Sequence, residues 1–60
     1  MPSEETRRVL KVFGVAVTNL EDAIDRKAAF DEIMKWDREV VERLRETIAL
    51  VERLRSRRIA

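Results

Sequence analysis

Acid–base and nucleophilic chemistry near neutral pH draws first on histidine and cysteine, and this sequence contains neither. That absence excludes imidazole general bases, thiol nucleophiles, zinc fingers and iron–sulfur sites. The remaining groups with chemical potential are carboxylates and guanidinium ions. Glu21, Asp22, Asp25, Asp31 and Glu32 form an acidic cluster in which Glu21 and Asp25 lie one helical turn apart. Paired carboxylates can bind cations or divide acid and base roles, but a dinuclear site in a helical bundle also needs Glu-x-x-His pairs. The cluster therefore reads as a solvated face. There is no Gly-rich phosphate loop, nucleophile elbow or metal motif, so the expectation is a protein that is not an enzyme and uses no cofactor or metal.

Arginine is the other conspicuous group. Arg53, Arg55, Arg57 and Arg58 make a basic terminus, with Arg43 and Arg45 a few turns earlier. Guanidinium groups at this density can contact phosphates, and a hairpin dimer presenting them would resemble, in architecture, small helical RNA-binding regulators. Aromatic interleaving is sparse, because Phe30 and Trp36 lie far along the chain. Cations also stabilise a helix C-terminus through its dipole alone. Nucleic-acid contact by these four arginines is thus the alternative reading, and a structural role the leading one.

These side chains need elements to carry them, and the composition specifies helices. Charged residues are 42% and apolar ones 45% of 60 residues, with one glycine and one proline, a balance that suits long amphipathic helices and leaves little for loops. Ser3 followed by Glu4 and Glu5 reads as a helix start. Apolar residues then fall three and four apart as Val9, Phe13, Ala16, Leu20 and Ala23. The same spacing continues through Lys27, Phe30, Met34, Asp37, Val41, Leu44, Ile48 and Val51 to Arg55 and Arg58, as in a coiled coil. Flanking apolar positions change side along the way, from Leu10, Val17 and Ile24 to Ile33, Val40 and Leu54. Such a drifting seam favours a helical bundle over a long strict coiled coil.

Without a Gly-rich turn signal, the best local break is Thr18-Asn19-Leu20-Glu21, where Thr18 and Glu21 match a capping box. The expectation is one helical domain across residues 1–60, with a short helix at about 4–17 and a long one at about 19–58; Trp36 and Asp37 are the second candidate for a break. The Val-rich run from Val9 to Val17 admits a rival strand, and a strand followed by helices would resemble ribbon–helix–helix DNA-binding proteins. Both alternating faces of that run are almost wholly apolar, however, whereas a DNA-reading ribbon needs one polar face. Gly14 with Thr18 one turn later gives a small-xxx-small spacing that lets another helix approach closely.

The fold class expected is all-α: a helical hairpin or two-to-three-helix unit assembling into an oligomeric bundle. A chain this short buries little surface alone and has no disulfide or metal to compensate. The expected function is self-association, most simply as a homodimer, or association with another helical protein. Its interface would use Val9, Phe13, Leu20, Phe30, Met34, Trp36, Val41, Leu44, Ile48 and Val51. Charge is segregated, with residues 1–20 at +1, 21–42 at −4 and 43–60 at +4, which suggests antiparallel or staggered packing. No apolar stretch approaches the roughly 20 residues needed to span a bilayer, so a cytoplasmic, soluble location is expected. Clean helix-start chemistry also suits an engineered sequence, although the Val-rich run, Gly14 and mid-seam Lys27 do not.

Overall fold

Ser3 opens the first helix as the sequence implies: its Oγ accepts the Thr6 N–H at 3.1 Å and donates to Thr6 Oγ1 at 3.0 Å. Glu4 and Glu5 occupy the first turn beside the positive end of the helix dipole. The computed structural model, which describes residues 3–59, contains two helices packed against each other, α1 (Glu4–Asp25) and α2 (Phe30–Ile59). Residues 1, 2 and 60 lie outside the described residues, and with them the ends of the expected domain.

The turn falls later than the sequence suggests. Helix α1 runs unbroken through Thr18–Glu21, so the expected boundaries at 17 and 19 are corrected to 25 and 30. Thr18 does not cap: its Oγ1 donates to the Gly14 carbonyl at 2.9 Å, the back-bond that lets a hydroxyl sit inside a helix. The second candidate break, near Trp36 and Asp37, is likewise absent, because α2 passes through both. Helix also replaces the rival strand over Val9–Val17.

The reversal is made by a Schellman motif without glycine. Lys27 N–H bonds the Ile24 carbonyl at 3.1 Å and Ala28 N–H bonds the Ala23 carbonyl at 2.9 Å, the paired bonds that close a helix C-terminus. Lys27 stands at the left-handed position with φ of 56°, where a Cβ is crowded and glycine is the usual occupant. Ala29 then begins α2, its carbonyl accepting from Glu32 and Ile33 N–H at 3.0 and 3.1 Å.

Little is buried between the helices. Val9, Ala16 and Ala23 of α1 and Leu50 of α2 are the buried apolar residues among those described. Among the half-buried residues of α2, Ile33, Trp36, Val40, Arg43 and Thr47 fall within about 80° of one another on the helical wheel and mark the side toward α1. The radius of gyration is 14.2 Å, against about 10 Å for a compact chain of this length. The hairpin is a rod.

Two substitutions test the turn. Lys27→Gly should raise stability by about 1 kcal/mol, by removing the Cβ from the left-handed position, in denaturant melts at fixed protein concentration. Thr18→Ala should leave stability unchanged or raise it by a few tenths of a kcal/mol, because alanine has the higher helix propensity. A loss of about 1 kcal/mol would instead indicate a working cap there.

Candidate functional site

Helical geometry places side chains about 100° apart per residue, which divides the hairpin surface into two unlike faces. Glu5 pairs with Arg53 across the helices at 3.3 Å, and Arg26 pairs with Glu32 beside the turn. Each step along α1 therefore matches a step back along α2, which sets Leu10 level with Ile48, Val17 with Val41 and Ile24 with Met34.

One face is polar. It carries the Glu5–Arg53 and Arg26–Glu32 pairs, together with Arg43, which lies 3.4 Å from Glu39 and 3.2 Å from Glu46. Arg43 is the charged member of the intrachain seam; its Nε is buried without a hydrogen bond, although Glu39 stands within ion-pair range. Val15, exposed on this side, is its apolar exception.

The opposite face is apolar, and both helices contribute to it. Leu10, Val17 and Ile24 are 50%, 40% and 54% exposed on α1, and Phe13 and Leu20 beside them are half-buried. On α2 this face exposes Phe30, Val41, Leu44, Ile48 and Val51, with Phe30 as much as 73% exposed and Met34 half-buried among them, while Leu54, also exposed, shares the direction of Trp36. Because the helices are antiparallel, the flanks that bear these residues turn to the same side of the hairpin. Between Val17, Leu20 and Ile24 the surface dips into a shallow depression edged by Glu21 and Asp25.

This geometry sorts the expected interface residues. Phe30, Val41, Leu44, Ile48 and Val51 lie exposed on the one face, and Phe13, Leu20 and Met34 edge it. Val9 is only 4% exposed, so it is spent on contact with α2 and corrected from interface to core. Trp36 also turns toward α1, half-buried, with the Lys35 ammonium 4.8 Å from its ring centre. Leu10, Val17 and Ile24 belong to the face but were legible only as flanking positions, and the buried Leu50 lay outside the coiled-coil spacing altogether. Gly14 has nothing within 4 Å of a Cβ placed on it, so no helix of this hairpin uses its smallness.

The arginines do not form a stripe. Arg53 and Arg57 lie one turn apart near Ser3, Glu5 and Leu50, edging the same hollow, whereas Arg55 projects about 160° away from Arg57, toward the apolar face. Arg58 lies between them. The acidic residues scatter as well: Asp22 and Glu32 are tied to Arg26, Asp25 edges the apolar depression, and no group of carboxylates among the described residues is arranged to hold a metal. No described helix is long and apolar enough to cross a membrane.

Comparison with protein-family models, with curated proteins and with solved structures gives no match.

The pairing beside the turn is open to titration. The Arg26 guanidinium, hydrogen-bonded to Glu32, holds that carboxyl below the ordinary glutamate value. A depressed folded value means that the pair's contribution is present above the ordinary value and is lost as pH falls through the folded one. Both groups are exposed, so the contribution is small. Carboxyl-detected NMR should give a Glu32 midpoint below the usual glutamate range, returning to it in Arg26→Ala.

Proposed function

We propose that this chain is a non-catalytic self-association module, in which two hairpins dock by their apolar faces into a four-helix bundle. The observation that carries this reading is the single-sided exposure of Leu10, Val17, Ile24, Phe30, Val41, Leu44, Ile48 and Val51. Soluble monomers seldom leave so large a contiguous apolar patch in water. The Cα envelope measures 47 × 18 × 12 Å, so a face spanning its two longer axes offers roughly 800 Å² per copy, the size of a standard protein interface. Each aliphatic side chain fully buried there contributes about 1.5–3 kcal/mol, so the face as a whole outweighs the four buried residues of one hairpin, two of which are alanine.

A second copy suits this face better than an unspecified helix, because the polar rim carries both signs of charge. The work of such a module is assembly in an aqueous compartment such as the cytoplasm. The competing reading assigns the basic end to nucleic acid. Its four arginines are spread around α2, where a backbone-tracking site would gather them along one groove.

Sedimentation over a hundredfold concentration range tests the proposal. Wild-type chain should sediment as a dimer with a melting temperature that rises with concentration. Leu44→Glu and Ile48→Glu should each shift the mass to monomer and reduce helicity together. A folded monomer whose melt is independent of concentration would overturn the proposal, and salt-sensitive retention of that monomer on nucleic acid would put the arginine reading in its place.

A further inference from the structure

The apolar face of α2 carries more information than its hydrophobicity. Its exposed stripe runs Asp37, Val41, Leu44, Ile48, Val51, Arg55, and all six side chains are exposed in the hairpin. The order is symmetric about Glu46: Leu44 and Ile48 stand two residues either side of it, Val41 and Val51 five, and Asp37 and Arg55 nine. When two such stripes cross in opposite directions about that centre, leucine meets isoleucine, valine meets valine and each aspartate meets an arginine. These are the mixed layers that an antiparallel helix pair forms from heptad spacing. A parallel pairing would set Asp37 against Asp37 and Arg55 against Arg55, and like charges held together at an interface are strongly disfavoured.

The charge of the whole hairpin points the same way. Residues 14–44, which form the half nearest the turn, hold eight acidic and five basic side chains; the other half holds four acidic and eight basic. The hairpin is therefore an electrical dipole along its length, negative at the turn and positive at the open end. Docking with both turns at one end would stack the two basic ends together and leave Asp37 against Leu20 and Glu21 of the other copy. Docking with the turns at opposite ends sets each acidic end over a basic one.

Resting on the self-association reading, we infer that the second copy docks antiparallel, turns at opposite ends, with α2 lying along α2 about Glu46 and Asp37 of each chain paired with Arg55 of the other. The partner is thus a second copy in one orientation and one register, in which the stripes overlap from Asp37 to Arg55 while Phe30 and Ile24, beside the turn, lie beyond the overlap. The apolar layers supply affinity, and the two symmetry-related ion pairs select the register.

Two measurements on the full chain test this. A nitroxide on Arg57→Cys, the sole thiol in the variant, reports the distance between open ends by pulsed electron paramagnetic resonance. At 1.5 Å rise per residue, the antiparallel register separates the two labelled positions by at least about 33 Å, whereas turns at the same end bring them within about 20 Å. Asp37→Arg and Arg55→Asp should each raise the dimer dissociation constant roughly tenfold or more by placing like charges at both ends of the stripe. The double exchange should recover to within about threefold of wild type, with circular dichroism confirming that every variant is helical. A dimer with the short distance, or a double variant as weak as the singles, overturns this orientation and register while self-association stands. Absence of any dimer in the wild-type chain overturns self-association itself.

Discussion

Everything in this structure follows from one mismatch: each helix carries an apolar arc wider than a single neighbouring helix can cover. On α2 the apolar side chains from Leu50 round to Met34 sweep about 200° of the helical wheel, where an ordinary surface helix of a globular protein presents a stripe of about 100° or somewhat more. Helix α1 covers one side of that arc, and the side holding Val41, Leu44 and Ile48 stays in water. The same is true in smaller measure of α1, whose Val9, Ala16 and Ala23 are buried while Leu10, Val17 and Ile24 are not. An antiparallel hairpin brings both leftover flanks to one side, so two modest exposures sum to one continuous face.

The small residues at the intrachain contact reinforce this division. Ala16 and Ala23 let α1 lie close to α2, but alanine removes little apolar area from water and contributes correspondingly little stability. Larger side chains stand on the flanks, where a single hairpin only half-covers them. Inside the seam, Arg43 and Thr47 occupy positions that an autonomous core would fill with aliphatic groups; Thr47 returns its hydroxyl to the Arg43 carbonyl at 2.9 Å. The contact between α1 and α2 thus aligns two surfaces more than it forms a core.

The helical class was legible because composition and periodicity agree over nearly the whole chain. The turn was not, because its chemistry is hidden: Lys27 takes a backbone conformation that sequence reading assigns to glycine, and Ala29 begins α2 without a capping side chain. Thr18 and Glu21 misled for the opposite reason, since a hydroxyl can satisfy itself on the Gly14 carbonyl as readily as it caps a new helix. One signal did mark the reversal. Flanking apolar residues change side between Ile24 and Ile33 because the heptad positions Val9, Ala16 and Ala23 of α1 face α2, whereas on α2 the heptad positions face outward and the flank of Ile33 and Val40 faces α1. Read as a drifting seam, it suggested a bundle; read as a boundary, it locates the turn. The exposed apolar residues were legible where they follow the heptad, and Val9 and Trp36 depart from that expectation because the hairpin itself covers them.

Affinity and orientation have separate origins in such a surface. Apolar layers of Val, Leu and Ile are interchangeable at small cost, so hydrophobic burial alone leaves several registers of one hairpin on another close in energy. Charge discriminates among them because a wrong register sets carboxylate against carboxylate or strands an ion among aliphatic groups, where desolvation makes it costly. Asp37 and Arg55 interrupt the stripe at its two ends, flanking the apolar centre, where they weaken burial least and constrain sliding most. In the proposed dimer the length-wise dipole would act at longer range and favour the antiparallel encounter before any side chain touches, over distances up to the Debye length of about 8 Å at physiological salt. A stripe whose centre is valine, leucine and isoleucine would therefore select one geometry through the two charged residues at its ends and an uneven distribution of charge in the rest of the hairpin.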